Sequence, residues 1–110
     1  MVRLTVTLSA SSSQRYVQDL LEALRFLMLG VRLQPGCREC SVWVDSESTV
    51  HYIEEFETEA DMRQRVYSST FTSLLGVIES AHQPPCVQFD FVTRTHGFEY
   101  VSQVRKTAPA

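Results

Sequence analysis

The chain is poor in lysine: Lys106 is the only one, and arginine supplies the rest of its positive side-chain charge. With a net charge of −3, it offers no basic face of the kind that sequence-independent nucleic-acid binding requires. Glycine is equally scarce. None of the four belongs to a Gly-rich phosphate loop, and the absence of Gly-x-Ser-x-Gly excludes an esterase nucleophile elbow. The three cysteines are an odd number, which argues against a disulfide framework. Cys37 and Cys40 form a C-x-x-C, but redox pairs of that kind open a helix whose N-terminus stabilises the thiolate. Here the pair follows Pro35-Gly36 and leads into a strand-like run. A metal site would want a second Cys or His pair, which Cys86 alone does not supply, so the thiols read as structural. His51, His82 and His96 lie far apart, with no metal-ligand spacing. Long apolar runs are missing too. Leu20–Val31 is interrupted by Glu22, Arg25 and Gly30 and is too short to span a bilayer. The N-terminus alternates apolar and polar residues and is not a signal peptide. The expectation is a cytoplasmic protein with no membrane partner and no nucleic-acid partner.

What is present is an ordinary globular composition, 44% hydrophobic and 21% charged. The length of 110 residues suits one domain, expected over 1–105 with a loose tail at 106–110. A chain of this size buries roughly two-thirds of its unfolded surface, enough for one core.

Apolar side chains at Val2, Leu4, Val6 and Leu8 alternate with polar ones, the mark of a half-buried strand. Ser11–Ser13 offer N-cap oxygens, and Ser11 with Gln14 fits a capping box. Val17, Leu20, Leu21, Leu24, Leu27, Met28 and Val31 then mark one face of a long helix. Phe26 and Leu29 lie off that stripe and predict a second covered edge, and Pro35-Gly36 stops the helix. Residues 38–45 and 49–57 read as a hairpin around the turn Asp45-Ser46-Glu47-Ser48. Thr58 and Asp61 cap a second helix, broken near Ser68 and ended by Pro84-Pro85. Residues 86–93 and 98–104 read as two further strands. The order predicts an α+β, ferredoxin-like βαββαβ fold with an extra C-terminal strand. Its helices cover one sheet face, and a second copy of the chain is the simplest cover for the other.

Several short segments carry a family resemblance. They are the Pro35-Gly36-Cys37 turn after a long first helix, Tyr52-Ile53-Glu54-Glu55-Phe56 closing the hairpin, Thr58-Glu59-Ala60-Asp61 opening the broken helix, and Ser68-Ser69-Thr70-Phe71. Over residues 2–93 the chain resembles the antibiotic biosynthesis monooxygenase superfamily, the dimeric α/β barrels. The resemblance implies a homodimer with a pocket between helices and sheet that binds a small aromatic or quinone-type molecule. It also implies oxidation by O₂ without metal, flavin or other cofactor. The chain departs from the family pattern where Phe56 replaces a frequent Trp and where Arg65 and Thr70 replace frequent histidines. The haem-degrading branch needs an Asn on the first strand and a late helical His. This chain has no asparagine, and Leu75 stands at the helix position, which excludes haem chemistry.

Cofactor-free oxygenation of a phenol needs a general base, a donor for the developing oxyanion, and an apolar, water-poor pocket. The candidates are Arg65 for the anion, Glu54 or His51 as base, and Tyr67 at the helix break. Trp43, Tyr52, Phe56 and Phe71 are candidates to line the substrate pocket. Glu54 and Glu55 alternate faces: at least one is expected to be solvated, and the other to pair with Arg63 or Arg65. The alternative is a non-catalytic binding or structural dimer on the same fold, its phenylalanines simply core. An RNA-binding sheet is excluded, because Glu54, Glu55 and Glu57 on the central strand would repel phosphates.

Overall fold

The structure is a computed structural model, and it describes residues 1–9, 14–81 and 83–107. The elements are β1 (Val2–Ser9), α1 (Gln14–Val31), β2 (Cys37–Val44), β3 (Thr49–Phe56), α2 (Glu59–Tyr67), α3 (Ser69–Glu79), β4 (Cys86–Phe91) and α4 (Glu99–Thr107). The sheet runs β2-β3-β1-β4 with every pairing antiparallel, which is the ferredoxin-like order. The expected capping box at Ser11 and the residue His82 lie outside the described residues.

Alternation in β1 decides the layers. Val2, Leu4, Val6 and Leu8 are buried in register with Phe56, Glu54, Tyr52 and Val50 of β3. This row faces the helices. α1 covers it with Val17, Leu20, Leu21, Leu24, Met28 and Val31, while α2 and α3 add Met62, Phe71, Leu74 and Ile78. The opposite sheet face carries Thr5, Thr7, Ser41, Trp43, His51 and Ile53, and among the described residues α1, α2 and α3 lie on the other side. Phe26 and Leu29 of α1 are exposed, so their predicted cover is not supplied among the described residues.

The connections follow local chemistry. Gly36 has φ +78°, a left-handed conformation that favours glycine, and its carbonyl accepts from Glu57 N at 2.9 Å. In the hairpin turn, Asp45 Oδ1 accepts from the Glu47 and Thr49 amides at 2.8 and 3.0 Å. Thr58 caps α2 by accepting from Asp61 N at 3.1 Å. The predicted helix break falls at Ser68, whose extended ψ of 152° ends α2 and precedes α3.

The C-terminal segment departs from the reading above. Residues 99–107 form helix α4, not a strand over 98–104, and the helix continues through Lys106 and Thr107. Phe98, Tyr100 and Val104 read as alternation, but Tyr100, Val101 and Val104 fit a helical stripe equally well. Glu99 in the first turn and Arg105 and Lys106 in the last complement the helix dipole and decide for the helix. β4 also ends earlier than expected, at Phe91, though Val92 N still donates to Met1 O at 2.8 Å.

Candidate functional site

The least ordinary feature of the core is an ion pair. Glu54 sits on the helix-facing side of β3 between Leu4 of β1 and Cys40 of β2. Arg65, in the last turn of α2, points down onto it, and both side chains are buried. Arg65 Nε donates to Glu54 Oε1 at 2.9 Å, and Nη2 donates to Oε2 at 3.0 Å. This is the bidentate geometry that a planar guanidinium makes best. Tyr52 OH also donates to Glu54 Oε2, at 2.5 Å, and Cys40 Sγ donates to the Tyr52 oxygen at 3.5 Å. Arg65 Nη1 donates to Thr70 Oγ1 at 3.0 Å. Its guanidinium carbon lies 5.0 Å from the centre of the Phe71 ring, within cation–π range. Among the described residues, no buried side-chain nitrogen or oxygen lacks a partner, so the network meets the condition under which buried charge is tolerated.

These contacts hold the protonation states. Burial opposes the Arg65 charge, but Glu54 outweighs it, and the guanidinium pKa is raised. Burial, reinforced by the Glu54 charge, lifts the Tyr52 phenol far above its usual range, so it remains a donor. Burial pushes the Cys40 thiol up to about 12 and raises Cys37 as well. Neither is an activated thiolate.

The helix break opens this network toward the surface. Ser68 Oγ donates to Arg65 O at 2.6 Å, which uses its only proton. In the 3.0 Å contact between the two hydroxyls, Thr70 is therefore the donor. Its proton is the one that can turn elsewhere. Beside it lies a cavity of about 350 Å³, walled by Phe26, Leu27, Leu29 and Val31 of α1 and floored by Arg65, Thr70 and Ser73. Apolar walls converging on a few polar groups are the usual make-up of a small-molecule site.

The structure thus brings Arg65, Glu54, Tyr52 and Phe71 together. Phe56 is buried in the same core, in register with Val2 and Cys37. Tyr67 is elsewhere: it is 93% exposed and lines a separate groove beside β4. Trp43 is on the opposite sheet face, its ring stacked on His51 at 5.3 Å between centroids. His51 in turn meets Asp45 Oδ2 at 2.8 Å. Glu55, on that same outer face, pairs with Arg3. Sequence reasoning took Ser68 only as the helix break and Thr70 only as a position where the resembled family often has a histidine, and it missed the cavity walls. The off-stripe positions of Phe26 and Leu29 were the available signal.

No protein-family model matches the sequence, and no curated protein matches it. Solved structures do. One described as an antibiotic biosynthesis monooxygenase shares 20% identity, covering 86% of this chain and 100% of its own, with a TM-score of 0.68. The fold is that of the antibiotic biosynthesis monooxygenases. A Deinococcus radiodurans protein described as a candidate antibiotic biosynthesis monooxygenase matches at 17% identity over 89% of this chain and 98% of its own, with a TM-score of 0.75. Rv0793 from Mycobacterium tuberculosis matches at 13% identity over 87% and 98%, with a TM-score of 0.71. Identities this low establish the monooxygenase fold and leave the reaction to the site. Among the described residues, no helix is long and apolar enough to cross a membrane.

Proposed function

We propose that the chain acts in the cytoplasm as a homodimer that binds a small aromatic or quinone-type molecule in the cavity between α1 and α3. One observation carries this reading. An apolar recess of aromatic size ends on a buried guanidinium and on a Thr70 hydroxyl that accepts from Arg65 and donates to Ser68, a bond it can exchange for one to a ligand. Flat apolar walls suit a ring. A hydroxyl polarised by a neighbouring cation suits a ligand oxygen, carbonyl or phenolate.

A cofactor-independent oxygenation by O₂ is the reaction such a site would host, with the Arg65 charge favouring the anionic form of a phenol. The rival is binding without chemistry, and Glu54 favours it. Both Glu54 oxygens accept hydrogen bonds from Arg65 and Tyr52, so this carboxylate holds Arg65 rather than serving as a free base. Of the two, binding is the better supported.

The test is calorimetric titration with a panel of hydroquinones and naphthoquinones, paired with an oxygen electrode. Thr70→Val is the probe because it leaves the buried pair intact. At least one compound should bind, with affinity weakened about tenfold, or about 1.4 kcal/mol, in the variant. If no member binds, the proposal fails. Oxygen uptake lost in Thr70→Val would establish the oxygenase reading, whereas binding without uptake would leave the non-catalytic one.

A further inference from the structure

The ligand cavity leaves Cys37 and Cys40 without a role, and the fold changes what their spacing means. In a regular strand, residues three apart face opposite sides. A bulge between Cys37 and Glu39 shifts the register of β2 by one residue. Cys37 therefore stands opposite Phe56 and Cys40 opposite Glu54, both on the helix-facing side of β3. The two thiols share that side, two strand positions apart. Cys40 is buried and Cys37 half-buried. Both border one recess of about 360 Å³, which Arg32, Arg38 and Glu39 complete. Cys37 Sγ turns along the strand and lies 3.7 Å from Glu39 O. Cys40 Sγ lies 3.5 Å from the Tyr52 oxygen.

We infer that Cys37 and Cys40 together bind one copper(I) ion in two-coordinate geometry. Thiolates select copper(I), zinc and iron–sulfur clusters. Zinc and the clusters take four ligands. Among the described residues, no group of three or more His, Cys, Asp or Glu side chains could hold a metal. The nearby carboxylates are engaged: Glu54 accepts from Arg65 and Tyr52, and Glu39 accepts from Ser41. A soft monovalent ion with a filled d shell imposes no geometry and is served by two thiolates. The span agrees. Two positions along a strand advance about 6.7 Å, at the upper limit for the Cα atoms of a disulfide. Two metal–sulfur bonds of roughly 2.3 Å hold their sulfurs about 4.6 Å apart, which this span suits better than a sulfur–sulfur bond of about 2 Å. On binding, two sulfur–copper bonds form and two thiol protons leave to water, so the +1 ion and two thiolates sum to −1. Arg32 donates from Nη2 to Cys40 O at 3.1 Å, and its charge favours both thiolates. Arg38 borders the same recess. Glu54 opposes the added charge, but Arg65 already offsets it. Loss of the Cys40 proton orphans nothing, because Tyr52 OH still donates to Glu54.

The site is separate from the cavity between α1 and α3 and does not depend on what that cavity binds. Its test is an anaerobic titration of the reduced chain with copper(I) against a chromogenic copper(I) chelator, followed by X-ray absorption at the copper edge. One copper per chain is expected, with two sulfur neighbours. Cys37→Ser and Cys40→Ser should each weaken binding more than about hundredfold, beyond the loss that follows when only a ligand's supporting contact is removed. Cys86→Ser, which removes the exposed thiol of β4, should bind as wild type does. The wild-type spectrum decides without any variant, so a misfolded Cys40→Ser leaves the test intact. No copper bound, or binding that survives the double change Cys37→Ser and Cys40→Ser, overturns the site. So do three or four sulfur neighbours, one copper shared by two chains, or zinc held as tightly as copper.

Discussion

Glu54 shows how one residue can be legible in type and illegible in role. Alternation alone places it and Glu55 on opposite faces and leaves one of them to pair with Arg63 or Arg65. The structure shows that the inward one is closed off by Arg65 and Tyr52. Breaking such a pair leaves a buried, uncompensated charge. Arg65→Ala should therefore cost about 3–5 kcal/mol in urea unfolding. Glu54→Leu combined with Arg65→Met should recover most of that loss, because the pair itself is close to neutral against an apolar replacement. A single variant of wild-type stability would contradict the buried geometry. On the outer face, the hydrogen bond with His51, aided by backbone amides, holds the Asp45 carboxyl below its usual 3.8. A depressed carboxyl contributes stability above its unfolded pKa and loses it as pH falls through the folded value. In acid below about pH 4, wild type should therefore lose stability more steeply than Asp45→Asn, which keeps an oxygen for the turn amides. Thermal melts between pH 2 and 6 would show parallel curves if the His51 contact contributes nothing.

At the scale of elements, the turns were more legible than the last helix. Gly36 was readable because Pro-Gly after a helix announces a turn. Its φ of +78° and the Asp61 side chain, which lies where a Cβ would stand, make it irreplaceable. Gly76, inside α3, faces open space. Alanine at the two positions should act in opposite directions. Gly36→Ala should destabilise by about 1–3 kcal/mol, while Gly76→Ala should stabilise by about 0.5–1 kcal/mol through helix propensity. Chemical denaturation of the pair checks both signs at once. The segment 98–104 was misread because its apolar spacing satisfies two periods over so few residues. Only the charges at its two ends distinguish a helix. The cavity escaped for a related reason. Its walls are residues that one helix leaves off its main stripe, and what they enclose depends on where α3 begins.

For the whole molecule, the outer sheet face is the surface that bears on assembly. Trp43 is the only tryptophan and stands on that outer face, partly exposed, so it reports on the face alone. If homodimers form by packing sheet against sheet, Trp43 emission should shift to the blue as concentration rises, in step with the sedimentation boundary. Dimerisation without a shift would place the contact elsewhere.

The sequence by itself determined the order of strands and helices from β1 to β4, the helix break at Ser68 and the split βαβ topology. Those follow from local periodicity and from turn residues, which act over a few positions. Tertiary structure alone decided that Arg65 and Glu54 close on each other, that Thr70 borders a cavity, and that Tyr67 lines a different groove. Each depends on the distance and angle between elements far apart along the chain, and no window of residues encodes that separately from the packed core.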